Sequence, residues 1–575
     1  MAKTLPKVDV VVVGVGWGGG IISSELTKAG LKVVGLEKGK PRTTADYFMS
    51  HDELRYSQRY ESMADMANGR TVTFRHDMKK RALPYREWGS FLIGEGLGGS
   101  GMHWNGQTYR FLPEDFQLKS EIIKKYGEKK MPEGMQVEDW GITWDEIEPY
   151  FEKWEAMAGV SGEQDPHPAA VKRKKDYPNP PMKETPVTKM FKEAATKLGY
   201  HPYHMPSSNL SQQYTNPDGI ARAACQYCAF CERFGCEFGA KADPVVTVIP
   251  VAQKTGNFEL RTYSQVTRIL HKDGKASGVL YVDLKTGEEF IQEADVVVVT
   301  TYVIENTRLL LLSKLGVPYD PTTGKGVVGR NYTYQVYLGN AYGFFDDKEF
   351  NLYAGAGALG AQIDDFNGLR FDHSDLNFLH GATIHITQLG DRPILNNHVP
   401  EGTPAWGEDF KKQSLKYANS TLVIKAQGAS LPFRDNYLDL DPTYKDAVGD
   451  PLLRMTFNWK EQDRALSKFM GEKAAEIMKA MGANKVNQGG KNVKDYDIRN
   501  YQSTHMNGGT TMGNDPSMSV VNPWLQMWDA ENVFVVGAGN FQHNSGYNPT
   551  ATVAALAYRA AEGILKYREK GGSLV

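Results

Sequence analysis

Between Val8 and Glu37 the chain reads VDVVVVGVGWGGGIISSELTKAGLKVVGLE, and few folds accept such a run. Val10–Val13 is a short apolar strand, Gly14, Gly16 and Gly19 form a tight turn, and Ile21–Ala29 continues as a helix. A second apolar run, Lys32–Leu36, ends in the acid Glu37. Each glycine has a job in a dinucleotide turn. Gly14 permits the bend, Gly16 lets the backbone approach a pyrophosphate, and Gly19 lets helix and strand pack closely, with the anion at the helix N-terminus. Glu37 is placed to accept hydrogen bonds from a ribose. A bare GxGxxG is a weak signal; strand, turn, helix, second strand and acid within about 30 residues make it a usable one. The identity of the dinucleotide stays open at this point.

A second glycine cluster follows in SFLIGEGLGGSGMHWNGQTYRFLPEDF, where Gly98 and Gly99 precede His103, Trp104 and Asn105. Backbone this poor in Cβ atoms can lie flat against a ligand. Tyr47–Arg86 lacks a period and is expected as loop and short helix, and Pro166–Pro181 as an exposed basic connection. Helices are expected after Thr143 or Asp145, with Ile147, Tyr150, Phe151 and Trp154 on one face, and at Val187–Leu198, Ile304–Leu312, Lys460–Met481 and Thr550–Tyr567. Asn257–Val299 reads as a small sheet whose last strand, Val296–Val299, returns the chain to the nucleotide region. Asn331–Ser430 shows no helical period and reads as strands and long loops of a substrate region, and Leu452–Trp459 and Asn532–Val536 as further strands.

With 66 Lys+Arg against 68 Asp+Glu the formal charge is −2, which excludes a nucleic-acid partner as an expectation. No run approaches the roughly 18 apolar residues of a membrane span, and the N-terminus lacks the apolar core of a signal peptide. The chain by itself is expected to be soluble and not exported by the general secretory route.

All four cysteines stand in CQYCAFCERFGC, at Cys225, Cys228, Cys231 and Cys236. Such close neighbours cannot readily meet disulfide geometry in pairs. A compressed CxxCxxC with a fourth cysteine is the style of iron–sulfur ligation, whereas zinc sites space two paired knuckles by a longer loop. Zinc remains the alternative. If one thiol is not a ligand, a three-iron cluster results, so 3Fe-4S is expected ahead of 4Fe-4S.

Near the C-terminus, QSTHMNGGTTMG carries His505 and NFQHNSGYNPTATVAAL carries His543 and Asn548. Oxidising an alcohol needs a base for the hydroxyl proton, and an imidazole suits it. From the residues alone His505 and His543 are rival bases, and each, like Asn548, has a bland structural reading.

The dinucleotide turn, GLGGSGMHWNGQTYR, VVGRN at Val327–Asn331 and the His505/Asn548 region together resemble the glucose-methanol-choline (GMC) oxidoreductases over nearly the whole chain. Within that family GYHPYHMPSSN and SVVNPWLQMWDAENVFVVGAG are similar to flavoprotein large subunits of bacterial gluconate 2-dehydrogenases, with FAD-dependent fructose, sorbitol and glucose dehydrogenases more distant. The resemblance implies FAD, held by Gly14, Gly16, Gly19, Glu37, Gly98, Gly99, His103, Asn105 and Gly537, with His505 as base and Asn548 as its partner. His103 stands where some relatives attach the flavin covalently, so a covalent bond there is an expectation.

The expected fold is α/β, with an α+β substrate part: a Rossmann-like FAD-binding domain (1–45, 85–120, 240–335 and 500–575) interleaved with a mixed-sheet substrate-binding domain and cap (46–84, 121–239 and 336–499). The implied activity is oxidation of a secondary hydroxyl of a sugar acid or sugar, D-gluconate to 2-keto-D-gluconate first. A 2-ketogluconate, a polyol or the C3 hydroxyl of a glucoside is the alternative substrate. Electrons would leave through the cysteine cluster to a cytochrome c subunit, with a small accessory subunit and a periplasmic, partner-anchored location, or else a cytoplasmic one. From another class, the rival is a non-catalytic flavin/iron–sulfur electron carrier.

Overall fold

The computed structural model of the chain describes residues 2–47, 54, 63, 71–86, 91–351, 353–390, 397–500 and 503–575. The first apolar run forms the end of the strand Lys3–Val13, where Val10, Val11 and Val12 have no exposed surface. A strand buried on both faces needs a layer above and below it, the setting of a central parallel strand. Lys3–Val13 lies between Val33–Leu36 and Glu289–Val299, parallel to both, with Val10 opposite Val33 and Val296. Phe258–Arg261 extends the sheet beyond Val33–Leu36. On the other side Glu289–Val299 divides its free edge: its first half pairs antiparallel with Lys275–Asp283, and its end pairs parallel with Val533–Val535. Ser264–Lys272 completes the seven strands.

Three strands of this sheet lead into helices, Trp17–Lys28, Val303–Ser313 and, after the loop of residues 536–549, Thr550–Lys570. The carboxyl ends of parallel strands, where such helices begin, are where open α/β sheets bind ligands. The expected helices and strands of this half appear within a few residues of their predicted bounds.

A second sheet of six strands runs Lys485–Gln488, Ala341–Phe344, Thr421–Gly428, Ala382–Thr387, Gly360–Ile363 and Tyr203–His204, antiparallel throughout. Side chains alternate between its faces. Ile363, Ile384, Ile386, Ile424 and Ala426 belong to a buried apolar cluster with the helices Pro186–Lys197 and Glu461–Ala480. The alternate residues, Gln362, His385, Lys425 and Gln427, therefore face the other way, and this polar face roofs the site.

Two local expectations need correction. The described part of Tyr47–Arg86 includes the strands Thr73–Arg75 and Leu83–Pro84, in a four-stranded sheet with Pro451–Thr456 and Tyr437–Lys445. Their stability comes from main-chain pairing with distant residues, which no local period reveals. Asn331–Ser430 contains a helix, Glu408–Tyr417, of which only Tyr417 is buried. Local charge pairs such as Lys412–Glu408 at 2.6 Å, rather than an apolar stripe, support it. The basic connection at Pro166–Pro181 is also fastened: Arg173 stacks 3.7 Å over the Tyr177 ring, and Lys174 reaches Glu148 at 2.6 Å. Among the described residues no helix is long and apolar enough to cross a membrane.

Candidate active site

The glycines of the first turn are there for different reasons. Gly14 has φ +87°, and a Cβ there would come 2.9 Å from Thr301 Cα. A Cβ at Gly19 would come within 2.1 Å of the Gly14 carbonyl oxygen, so close helix–strand packing excludes one. At Gly16 the nearest protein atom would be 3.7 Å away, an ordinary contact. Protein packing does not require glycine at 16; the approach of a ligand does. The second glycine cluster is sewn to this turn, because Gly98 N–H donates to the Val15 carbonyl at 2.9 Å. A Cβ at Gly99 would meet only Gly16 Cα, at 3.6 Å, so the two open glycines face each other. Glu37 is buried; its carboxylate accepts Val15 N–H at 3.1 Å and Gly39 N–H at 2.9 Å, and burial pushes its pKa up.

A cavity of about 600 Å³ begins at these residues. Gly14, Gly16, Glu37, Gly99, His103 and Asn105 line it, and so do His505, Gly537 and Asn548 from the far end of the chain. Gly19 and Gly98 lie behind its wall as packing positions.

His505 is positioned by the pairing of Thr333–Tyr334 with Met506–Asn507, which also brings Gln335 N–H to the His505 carbonyl at 3.4 Å. The Gln335 amide nitrogen donates to the carbonyls of Ser545 and Tyr547 at 2.9 and 3.0 Å. That pins the amide, so its oxygen faces His505 Nδ1 and accepts the proton there. The lone pair of the imidazole is left on Nε2, 3.3 Å from Asn548 Nδ2. Burial pushes the His505 pKa down to about 3, so the ring is neutral. Asn544 Nδ2 donates to the His505 carbonyl at 2.8 Å and fixes the backbone. Gln335 and Asn544 are residues that sequence reasoning missed: nothing in YTYQVY marks an amide that will orient a histidine 170 positions away.

His543, the rival base, is not at the cavity. It is fully buried, its Nδ1 accepts Trp140 Nε1–H at 3.4 Å, and its Nε2–H donates to Asp115 at 3.2 Å. His380 makes the same kind of contact: Gly381 N–H donates to its Nδ1 at 2.8 Å and its Nε2–H donates to Asp115 at 2.6 Å. Ser545 Oγ–H and Leu112 N–H, at 2.9 and 2.8 Å, complete the carboxylate's partners. Every ring nitrogen here is engaged, so this buried knot anchors the 543–548 loop rather than serving as a base.

His103 is buried in the cavity wall. Its Nε2–H donates to the Leu92 carbonyl at 2.9 Å, while Nδ1 has no partner among the described residues. Burial holds its pKa down to about 3. A neutral imidazole with an unused lone pair beside two open glycines is a donor set that fits a flavin.

The four thiols are free and do not line the cavity, but Glu232 and Arg233 between them do. Arg233 N–H donates to the His103 carbonyl at 2.7 Å, so the cysteine loop rests on the glycine-rich loop. Amides approach the sulfurs: Asn209 Nδ2 to Cys231 at 3.6 Å, Tyr227 N to Cys225 at 3.4 Å and Lys241 N to Cys236 at 3.5 Å. Burial nevertheless pushes the Cys225 thiol up to about 12 and Cys231 to about 11, so a bound cation is needed to hold them as thiolates. Among the described residues no three of these sulfurs lie within 4.8 Å of one another.

Two family models described as GMC oxidoreductase match residues 136–336 and 432–557. The chain is 41% identical to the gluconate 2-dehydrogenase flavoprotein of Pantoea cypripedii, over 100% of this chain and 96% of the relative. It is 29% identical to the 2-methyl-1,2-propanediol dehydrogenase of Mycolicibacterium austroafricanum (98% and 96% covered) and 26% identical to the fructose dehydrogenase large subunit of Gluconobacter japonicus (99% and 100%). The solved structure of pyridoxine 4-oxidase from Mesorbium loti superposes with a TM-score of 0.59 at 16% identity, covering 97% of this chain and 99% of that one, a likeness of fold. The chain belongs to the GMC oxidoreductases and is an FAD-dependent dehydrogenase acting on CH–OH donors.

Proposed function

We propose that this chain oxidises a secondary hydroxyl of a sugar acid or sugar, with conversion of D-gluconate to 2-keto-D-gluconate as the leading reaction. The observation that carries the reading is the 3.3 Å approach of Asn548 Nδ2 to His505 Nε2 in the cavity wall, with the imidazole tautomer set by Gln335. His505 takes the hydroxyl proton at Nε2, and Asn548 donates a hydrogen bond to the same oxygen. Bound FAD supplies the hydride acceptor. Gly14, Gly16 and Glu37 would hold its ADP half with Gly19 and Gly98 packed behind them, Gly99, Asn105 and Gly537 would lie along the rest, and His103 Nδ1 would be the point of covalent attachment. The 41% identity to a gluconate 2-dehydrogenase flavoprotein supports the substrate.

Cys225, Cys228, Cys231 and Cys236 would supply the ligands of an iron–sulfur cluster, 3Fe-4S first with one thiol left unligated, and it would supply one-electron transfer toward a cytochrome c subunit. The CxxCxxC run with its fourth cysteine and the contact of the loop with His103 support this. A small accessory subunit completes the assembly, on the periplasmic side of a membrane and attached through its partners. The test is anaerobic flavin bleaching by a panel of sugar acids, sugars, polyols and glycosides. His505→Ala is expected to lose substrate-driven bleaching while dithionite still reduces the flavin; bleaching that survives overturns the base assignment. Yellow colour released completely from the acid-precipitated polypeptide overturns the covalent bond.

A further inference from the structure

Among the described residues the cations around the cavity lie close to acids, with one exception. Lys38 lies 3.6 Å from Glu305, Arg308 lies 2.7 Å from Asp446, and Arg233 Nε lies 3.9 Å from Glu232. Lys425 is the remaining cationic side chain of the lining, and among the described residues no carboxylate lies within ion-pair distance of it. An ammonium in a partly closed cavity gives up hydration and offers three donors with no acceptor of its own.

The strand period decides where that ammonium points. Ile424 and Ala426 on either side of Lys425 enter the apolar cluster, so Lys425 is on the roof face with Gln427. Gln427 Oε1 accepts the Tyr337 hydroxyl, and the Tyr337 ring is centred 6.3 Å from the ring of His505. Residues two apart on one strand face stand roughly 7 Å apart, so Lys425 and His505 belong to the same chamber. Opposite Lys425 in register is His385, also in the lining, whose buried Nδ1 has no partner among the described residues. Burial, then the Lys425 charge, push its pKa down to about 3, leaving one cation beside one neutral imidazole.

We propose that Lys425 recognises the carboxylate of the substrate, with His385 as a neutral hydrogen-bonding neighbour, so that the pocket selects acidic over neutral carbohydrates. Lys425 is then a specificity-determining residue. This rests on the reading that His505 and Asn548 face the reacting hydroxyl. Neutral sugars and polyols offer the ammonium nothing but hydroxyls already well solvated in water, whereas a carboxylate gains a charge-assisted hydrogen bond.

The test compares D-gluconate with D-gluconamide, its neutral isostere, by anaerobic flavin bleaching of the full FAD-loaded chain. Wild type is expected to favour the acid, and Lys425→Met to lower the ratio of the two kcat/KM values by roughly 10- to 100-fold. Lys425→Arg, which keeps the charge, should retain most of the ratio. Because the readout is a ratio within one preparation, partial loss of folding or flavin cancels. A wild-type ratio near one, or a ratio unmoved in Lys425→Met, overturns the role of Lys425 while the oxidation reading stands. Bleaching by neither compound, nor by any polyol or sugar of the panel, overturns the oxidation reading itself.

Discussion

Lys241 Nζ donates to the Trp104 carbonyl at 2.6 Å, with the whole lysine side chain buried. The same ammonium reaches the carbonyls of Phe234 and Cys231 at 2.8 and 3.0 Å and that of Met102 at 3.3 Å. One cation thus fastens the cysteine loop to the loop that carries His103. Lys241→Met removes the charge and leaves these carbonyls buried without a donor, a cost of roughly 2–5 kcal/mol. The expected outcome is a lower apparent Tm and proteolytic cleavage within 225–241. A variant as resistant as wild type would show that the loop is held by other contacts.

Burial sets the pH behaviour of His505. The base accepts a proton only when neutral, so activity is present above its folded pKa and lost as pH falls through it. Burial puts that value at about 3, against an ordinary 6.5. The rate of flavin reduction should therefore hold steady from about pH 8 down to about pH 5, without the usual imidazole limb. Gln335→Glu places a carboxylate at Nδ1, stabilises the imidazolium and raises the pKa by about 1–3 units, so the acid limb should move up. A limb near 6.5 in wild type, or one unmoved by the substitution, would contradict this arrangement.

The nucleotide half was readable because its causes are local. Val10–Val13, the three glycines and Glu37 are consecutive in sequence and adjacent in space. The crowding of the four cysteines was legible for a similar reason, since it lies within a dozen residues of one segment. His505 and Asn548 stood out from their neighbours only through resemblance, and their geometry depends on Gln335, whose orientation is fixed by the carbonyls of Ser545 and Tyr547. Lys425 and His385 lie in a stretch with no motif. The alternation in ATIHIT gives away a strand, but which face meets a helix layer and which meets a cavity depends on Pro186–Lys197 and Glu461–Ala480. Asp115 was invisible for the opposite reason, because its side-chain partners come from two distant segments, at His380 and at His543 with Ser545.

Asp115 accepts four hydrogen bonds in a site with no exposed surface. Burial alone would raise its pKa, but His380 and His543 hold the carboxylate below its usual range. A carboxylate with a depressed folded pKa contributes stability that is present above the unfolded value and lost as pH falls through the folded one. Asp115→Asn turns an amide N–H toward other donors, at a cost of about 1–3 kcal/mol. The variant should be less stable at neutral pH, and the gap to wild type should narrow below about pH 4. Because Ser545 is one of the partners, the loop carrying Asn548 should loosen and kcat should fall. Equal stability of the two proteins at pH 7 would refute the anchoring role.

The cysteine loop makes a prediction that separates the two halves of the proposed reaction. Proton removal depends on His505 and its partners, none of which touches a sulfur, whereas onward electron transfer depends on the thiols. Cys231 is the most buried of the four and receives the Asn209 amide. Cys231→Ser nearly preserves the shape but replaces a good iron ligand with a poor one. Wild type should contain about three or four irons per chain with matching acid-labile sulfide, and the variant should lose most of both. Substrate should still bleach the flavin in the variant under anaerobic conditions, while reduction of an added cytochrome c falls steeply. Zinc in place of iron in wild type would make the loop a structural clamp, and the electrons would then need another way out of the flavin.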